Sequence, residues 1–216
     1  MKQKLYFIRH GHTAGTADGY MYGATDLPLT LEGAREIEAF AKQDLYPTPN
    51  DAIVYISGML RTKQTLDAIY GDIPFLVAPA LKEIDMGDFE MKPLDDLMAD
   101  QWAKDWLLGR KPEEKAPGGE SFGGFVNRVV NGVHEIIEKN IEKNNDRMIV
   151  ICHGGVISTA MTELFPEDEK KDWDWTPHPG GGFEVELDDG KATDYHFIGL
   201  KDLEGDMSKQ IEELKA

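Results

Sequence analysis

The chain has 216 residues, with 23 Lys and Arg against 40 Asp and Glu for a formal net charge of −17; 41% of residues are hydrophobic and 29% charged. That length suits one domain with one core, and the composition is that of a folded protein, while the negative field disfavours nucleic acid and anionic membranes as partners. No apolar run reaches membrane-spanning length, LYFI behind Lys2 and Lys4 is too short for a leader, and the single Cys152 excludes an intrachain disulfide, so a cytoplasmic location is expected.

Along the chain, short apolar runs alternate with helical patterns, the signature of an α/β fold around a mostly parallel sheet. The runs at 4–8 (KLYFI), 52–57 (AIVYIS), 74–78 (PFLVA) and 148–152 (MIVIC) are continuous rather than alternating, which predicts central strands covered on both faces. A helix is predicted after Thr30, a plausible cap, with Ala34, Ile37 and Ala41 on its apolar face, and another over 61–70. From 122 to 141, Phe122, Phe125, Val126, Val129, Val130, Val133, Ile136, Ile137 and Ile141 recur at three-four spacing, a strongly amphipathic helix. The interval from about 84 to 120 has no clear strand, carries Trp102 and Trp106, and reads as an inserted lid. A strand pair at 183–187 and about 194–198 precedes a polar helix or tail at about 201–216.

Ligand sites of open α/β sheets lie beyond the carboxyl ends of the strands. The first run ends in Arg9-His10-Gly11-His12, the second in Ser57 with Arg61 soon after, the third leads to Glu83, and the fourth ends in His153-Gly154-Gly155. A parallel sheet brings these two arginines, two histidines and one carboxylate to a common rim. Arginine offers a planar fork of donors for phosphate oxygens, and Gly154-Gly155 opening a helix supplies free backbone N–H groups for an anion. A histidine between such cations is favoured in its neutral, nucleophilic form, and Glu83 stands where a proton donor for the leaving group is needed. Cys152 lacks the arginine six residues on that cysteine phosphatases use, and reads as a buried small side chain. His10 and His12 with His153 form a conceivable metal set, but two neighbouring arginines disfavour a dication. His134, His178 and His196 receive no chemical role, although His178 is a candidate for the pocket mouth.

The same residues carry a family resemblance. RHGHT resembles the R-H-G-x-T signature of the histidine phosphatase superfamily, the phosphoglycerate mutase-like proteins. YGATDLPLTLEGAREI, SGMLRTKQT, LKEIDMGDFE, PGGESFGGFVNRV and VICHGGVI are similar to its further blocks, in the expected order from residue 5 to about 157. The resemblance implies a three-layer α/β sandwich with a mostly parallel central sheet. It also implies a two-step transfer in which His10 is phosphorylated and Glu83 acts as acid and then base. Arg9, Arg61 and His153 would hold the phosphoryl oxygens, with Thr16, where many relatives carry Asn, and Gly154 completing the phosphate site. No metal or organic cofactor is required on this reading. A chain of this length, with about 30 residues of lid, is expected to be a phosphatase of a small phosphorylated metabolite, such as an α-ribazole or sugar phosphate. Phosphoglycerate mutation and a catalytically silent phospholigand-binding module are the alternatives. Oligomeric state is not legible.

Overall fold

The structure, a computed structural model, describes residues 1–170 and 172–199; the stretch read as a C-terminal helix or tail lies outside the described residues. In chain order the elements are strand β1 (Lys2–Arg9), helix α1 (Ala14–Ala17), β2 (Tyr20–Met21), α2 (Leu31–Ala41), β3 (Ile53–Ile56), α3 (Leu60–Tyr70) and β4 (Leu76–Val77). They continue with β5 (Lys92–Pro93), α4 (Leu94–Ala99), α5 (Gln101–Leu107), α6 (Phe122–Glu142), β6 (Arg147–Cys152), α7 (Gly154–Leu164), β7 (Gly182–Asp188) and β8 (Lys191–Ile198). A six-stranded sheet has the order β4-β3-β6-β1-β7-β8. Its first four strands are mutually parallel, and β7 and β8 add an antiparallel edge.

The continuous apolar runs of β1 and β6 have the origin expected of them. Alternate side chains enter opposite layers: Leu5, Phe7, Met148, Val150 and Cys152 pack with α6 and α7, while Tyr6, Ile8, Ile149 and Ile151 pack on the other face with Leu66 of α3. Helices on both faces make three layers. The third predicted strand is different. β4 has only two residues, pairs with β3 alone, and leaves Leu76 and Val77 about half exposed (45% and 54%), so it is an edge and not a central strand. A run of five apolar residues looks the same whether or not a neighbouring strand covers it.

Thr30 caps α2 as expected, its hydroxyl accepting the Gly33 N–H at 2.9 Å. The buried stripe of that helix is Gly33, Ile37 and Phe40, with Ala34 and Ala41 at its margin rather than its centre. Gly33 is there because the helix presses on the backbone of His12: a Cβ would lie 2.5 Å from the His12 carbonyl oxygen. Helix α6 begins at Ser121, whose hydroxyl accepts the Gly124 N–H, and buries Phe125, Val129, Val133, Ile136 and Ile137.

The 84–120 segment carries α4 and α5 and is fastened by the β2–β5 pairing, two residues on each side that sequence periodicity does not register. Trp106 is fully buried and belongs to the same apolar cluster as Phe125 and Val129 of α6, with its indole N–H donating to the Glu114 carbonyl at 3.1 Å. Trp102 lies further out, its ring tilted against that of Phe89 with centroids 5.7 Å apart.

At the opposite end of the sheet, Asn140 is a fully buried polar side chain of α6. Its amide donates to the Tyr55 hydroxyl at 2.8 Å and to the Ile136 carbonyl at 2.7 Å, and its oxygen accepts from Asn145 at 2.7 Å. Asn140→Leu strands the Asn145 donor, and we expect it to lower unfolding free energy by about 1–3 kcal/mol in urea titrations. An unchanged midpoint would show that this network contributes nothing to stability.

Candidate active site

β1 delivers Arg9 and then His10 to the carboxyl rim. The His10 N–H still donates to the Cys152 carbonyl at 3.0 Å, so β1 and β6 stay in register to this point. On the other side Arg9 N–H donates to Gly181 O (2.8 Å) and Gly180 N–H donates to Arg9 O (3.1 Å), the latter glycine at φ +81°, a conformation that suits no side chain well. The strand end is therefore gripped from both edges.

His10 is buried, and its Nδ1 lies 2.8 Å from the carbonyl oxygen of Gly11. A carbonyl only accepts, so Nδ1 carries the proton and Nε2 is left with its lone pair. Burial, then the positive charges of Arg61 and Arg9, hold the ring well below its ordinary pKa of 6.5. Arg61, from the first turn of α3, is fully buried. Three of its five N–H groups are used: Nε to His153 Nδ1 (3.2 Å), Nη1 to the Thr25 carbonyl (3.0 Å) and Nη2 to the Gly23 carbonyl (2.7 Å). Its guanidinium also lies over the ring of Tyr22, 5.2 Å from the centroid. Arg9 donates from Nη1 to the Pro177 carbonyl at 2.7 Å, while its buried Nε has no hydrogen-bond partner among the described residues. Burial pulls both guanidinium groups down from their usual range, though an arginine stays charged regardless.

His153 caps the start of α7 and is fully buried, its ring 5.2 Å from that of His10 in an edge-on arrangement. Nδ1 accepts from Arg61, so Nε2 bears the proton and donates to Ser57 Oγ at 2.8 Å. Both nitrogens are thus engaged by protein groups, and the ring stands behind Arg61 rather than on the cavity wall. Glu83 is half-buried, with Oε2 accepting the Gly155 N–H (3.0 Å) at the start of α7 and Oε1 accepting the Ile84 N–H (3.0 Å). Gly154 and Gly155 are there for access: a Cβ would sit 3.2 Å from Arg9 Nε in the first case and 2.6 Å from Glu83 Oε1 in the second. Thr16 reaches the cavity, but its hydroxyl donates to the Thr13 carbonyl (2.9 Å) and accepts the Thr13 N–H (2.8 Å) in a capping box, so a bond to a ligand competes with that turn.

Arg9, His10, Arg61, Glu83, Gly154 and Gly155 line the polar end of one cavity of about 820 Å³. Away from that end the wall is apolar, built from Met21, Ile84, Leu94, Leu107, Phe122 and Val126. Trp106 contributes to it and Trp102 does not. His178 lines the cavity, as its place in the sequence allowed, and His12 does too, 3.7 Å from Glu36. Cys152 is buried with its thiol pushed up by burial, an inert packing group. No group of three or more His, Cys, Asp or Glu among the described residues is arranged to hold a metal ion.

Glu120 and Arg128 fall within the PGGESFGGFVNRV block, and sequence reasoning gave neither a role. Arg128 of α6 donates to the carbonyls of Ala80, Lys82 and Glu83 at 2.7–2.9 Å, and Glu120 accepts from Arg128 and from the Asp85 N–H. Together they fix the main chain on both sides of Glu83. The available signal was an Arg about two helix turns beyond a capped helix start, preceded by an acid; the carbonyls it would reach were not readable.

An imidazole held neutral beside two buried guanidinium groups at the carboxyl rim of a parallel sheet marks a phosphoryl-transfer enzyme. The sequence profile of the histidine phosphatase superfamily, branch 1, matches residues 5–195, and the chain belongs to that family. It is 26% identical over 199 residues to the adenosylcobalamin/alpha-ribazole phosphatase of Escherichia coli strain K12, covering 88% of this chain and 93% of that one. Among solved structures, the alpha-ribazole phosphatase of Shigella flexneri superposes with a TM-score of 0.70 at 25% identity, covering 88% of this chain and 94% of its own. A phosphoglycerate mutase of Thermus thermophilus superposes with a TM-score of 0.65 at 26% identity, covering 92% of this chain and 100% of its own.

His153, like His10, is held well below 6.5, by burial and then by Arg61. Both rings stay neutral in the fold and titrate normally once unfolded, so proton uptake favours the unfolded chain only below pH about 6.5. We expect stability to fall there by up to about 1.4 kcal/mol per pH unit for each ring, with no slope from the pair at higher pH. Urea unfolding from pH 7.5 to about pH 5 checks this against the His10→Asn/His153→Asn double variant. Equal acid losses in both proteins would locate the proton uptake elsewhere.

Proposed function

We propose that the chain is a cytoplasmic phosphomonoesterase working through a phosphohistidine at His10, with water as the final acceptor. The observation that carries this reading is the fixed tautomer of His10: Nδ1 spent on Gly11 O, Nε2 bare, with Arg61 and Arg9 alongside. In the first step Nε2 forms a bond to phosphorus as the ester P–O bond breaks, and the leaving oxygen takes a proton from Glu83. In the second, Glu83 takes a proton from water as its oxygen bonds to phosphorus and the P–N bond breaks, releasing phosphate and restoring His10. Arg9, Arg61 and the Gly154 N–H opening α7 stabilise the equatorial oxygens, where charge accumulates. His153, with Nδ1 accepting from Arg61 and Nε2 donating to Ser57, acts by holding the Arg61 guanidinium in place rather than by donating to a phosphoryl oxygen itself. No metal or cofactor is assigned a step.

Hydrolysis is favoured over phosphoglycerate mutation by the cavity beyond the phosphoryl end. A glycerate carboxylate or second phosphate needs cations, and that wall is apolar; its further arginine, Arg110, is turned to Asp105 at 3.1 Å. The size and apolarity of the space suit a leaving group bearing a ring system, in keeping with relatives named as alpha-ribazole phosphatases. Residues 84–120 then act as a lid contributing this wall to a single domain, 1–216. None of the helices among the described residues is long and apolar enough to cross a membrane, in keeping with a small dissolved substrate.

The test is release of phosphate in excess chelator from riboside and nucleoside 5′-phosphates, sugar phosphates and 3-phosphoglycerate. A ring-bearing ester is expected to exceed 3-phosphoglycerate in kcat/KM by about tenfold or more. Isomerisation of phosphoglycerate without phosphate release would refute hydrolysis. His10→Ala should lower kcat by about 10⁴-fold and leave no phosphoenzyme after alkaline quench, with thermal unfolding preserved. Glu83→Gln should slow alkyl phosphates far more than nitrophenyl phosphate, whose leaving group needs no proton. Similar slowing of both would remove Glu83 as the acid.

A further inference from the structure

We propose that Glu90 is a positioning residue for Arg61, setting the affinity of that guanidinium for a phosphoryl group through the peptide groups of residues 23–25. The inference rests on the phosphatase reading of the pocket and adds a residue that reading does not use.

Glu90 follows the 3₁₀ turn at Gly87–Phe89, seven residues beyond Glu83, and is half-buried. It faces no cation. Its carboxylate instead gathers main-chain N–H groups: Oε1 accepts from Gly23 (3.0 Å), Ala24 (2.9 Å) and Met86 (3.0 Å), and Oε2 from Gly23 (3.0 Å) and Thr25 (3.1 Å). Burial alone would raise its pKa, but the hydrogen bonds from Thr25, Gly23 and Met86 outweigh burial and hold it below the usual carboxylate range. The carbonyls of the same short loop serve Arg61, with Gly23 O receiving Nη2 and Thr25 O receiving Nη1. One loop thus presents its N–H groups to an anion and its carbonyls to a cation. The loop has little freedom, since a Cβ on Gly23 would collide with the Ile84 carbonyl and Asp26 accepts the Leu60 N–H at the start of α3 at 2.9 Å.

The arrangement answers a specific difficulty. A buried guanidinium needs compensating charge, yet a carboxylate paired directly with it would occupy the N–H groups a phosphate must use. Among the described residues Asp26 alone pairs with Arg61 directly, 3.7 Å from Nη1, and Glu90, placed behind polarised peptide groups, adds compensation without occupying the two N–H groups left for a ligand. Because Glu90 also binds Met86 N–H, it ties the loop holding Arg61 to the segment that carries Glu83.

Direct binding of orthophosphate, measured by calorimetry on wild type, Glu90→Gln, Arg61→Lys and the double variant, separates this from simple stapling of two loops. Glu90→Gln is expected to weaken phosphate binding by about tenfold. In the Arg61→Lys background the same substitution is expected to change affinity by less than about twofold, because the guanidinium through which it acts is gone. An equal loss in both backgrounds, or wild-type affinity in Glu90→Gln, would overturn the proposal. If Glu90→Gln does not fold by circular dichroism, Glu90→Asp, which keeps the charge but withdraws the carboxylate by one methylene, takes its place with the same two criteria. A wild-type protein that binds no phosphate would instead overturn the reading of the pocket, whereas equal binding by wild type and the Glu90 variant would overturn only the role of Glu90.

Discussion

Two guanidinium groups buried beside two imidazoles are the constraint around which this molecule is organised. Removing such charges from water costs several kcal/mol each unless something in the protein replaces the water. Here the replacement is mostly main-chain carbonyl oxygen: Pro177 for Arg9, Gly23 and Thr25 for Arg61. The loops that supply these oxygens have to be rigid. That requirement accounts for glycines at points of close approach and for carboxylates, such as Glu120, spent on the backbone rather than on substrate.

The overall acidity of the chain fits the same picture. With a formal charge of −17, the surface repels anions at long range, while the cavity concentrates its positive charge at one end. Phosphate binding is then a local matter of hydrogen bonds and desolvation rather than of steering. The two imidazoles depend on this too. Their neutrality comes first from burial and only then from the arginines, so any substitution that lets water to the rim changes the nucleophile before it changes the phosphate clamp.

Much of this was legible in the sequence because the informative residues sit where strands end. Arg9, His10 and His153 are adjacent in sequence to the runs that became β1 and β6, so predicting those strands was enough to predict a shared rim. Helix α6 was legible because its nine apolar residues repeat over five turns. The rest depends on contacts distant in sequence. The edge position of β4 follows from which strands pair, and the β2–β5 ribbon joins four residues across a gap of about seventy. The carbonyls reached by Arg128 and the ring orientation of His153 are likewise properties of the assembled fold. Motif spacing marked these residues without disclosing what they touch.

Helix α6 contributes to two structures at once. Val129 and Val133 are core, while Val126 and Val130, three residues before Val129 and one after it, line the cavity. Selection for a new leaving group acting on this helix therefore acts on folding as well, and variants there are filtered twice. The positions in the same wall with more freedom are Leu94 and Leu108 to Arg110, in the segment that is tethered to the sheet layers chiefly through Trp106 and its neighbours. Diversification of substrate range within this fold is expected to run through that segment, with α6 kept as the invariant backing against which different insertions are fitted.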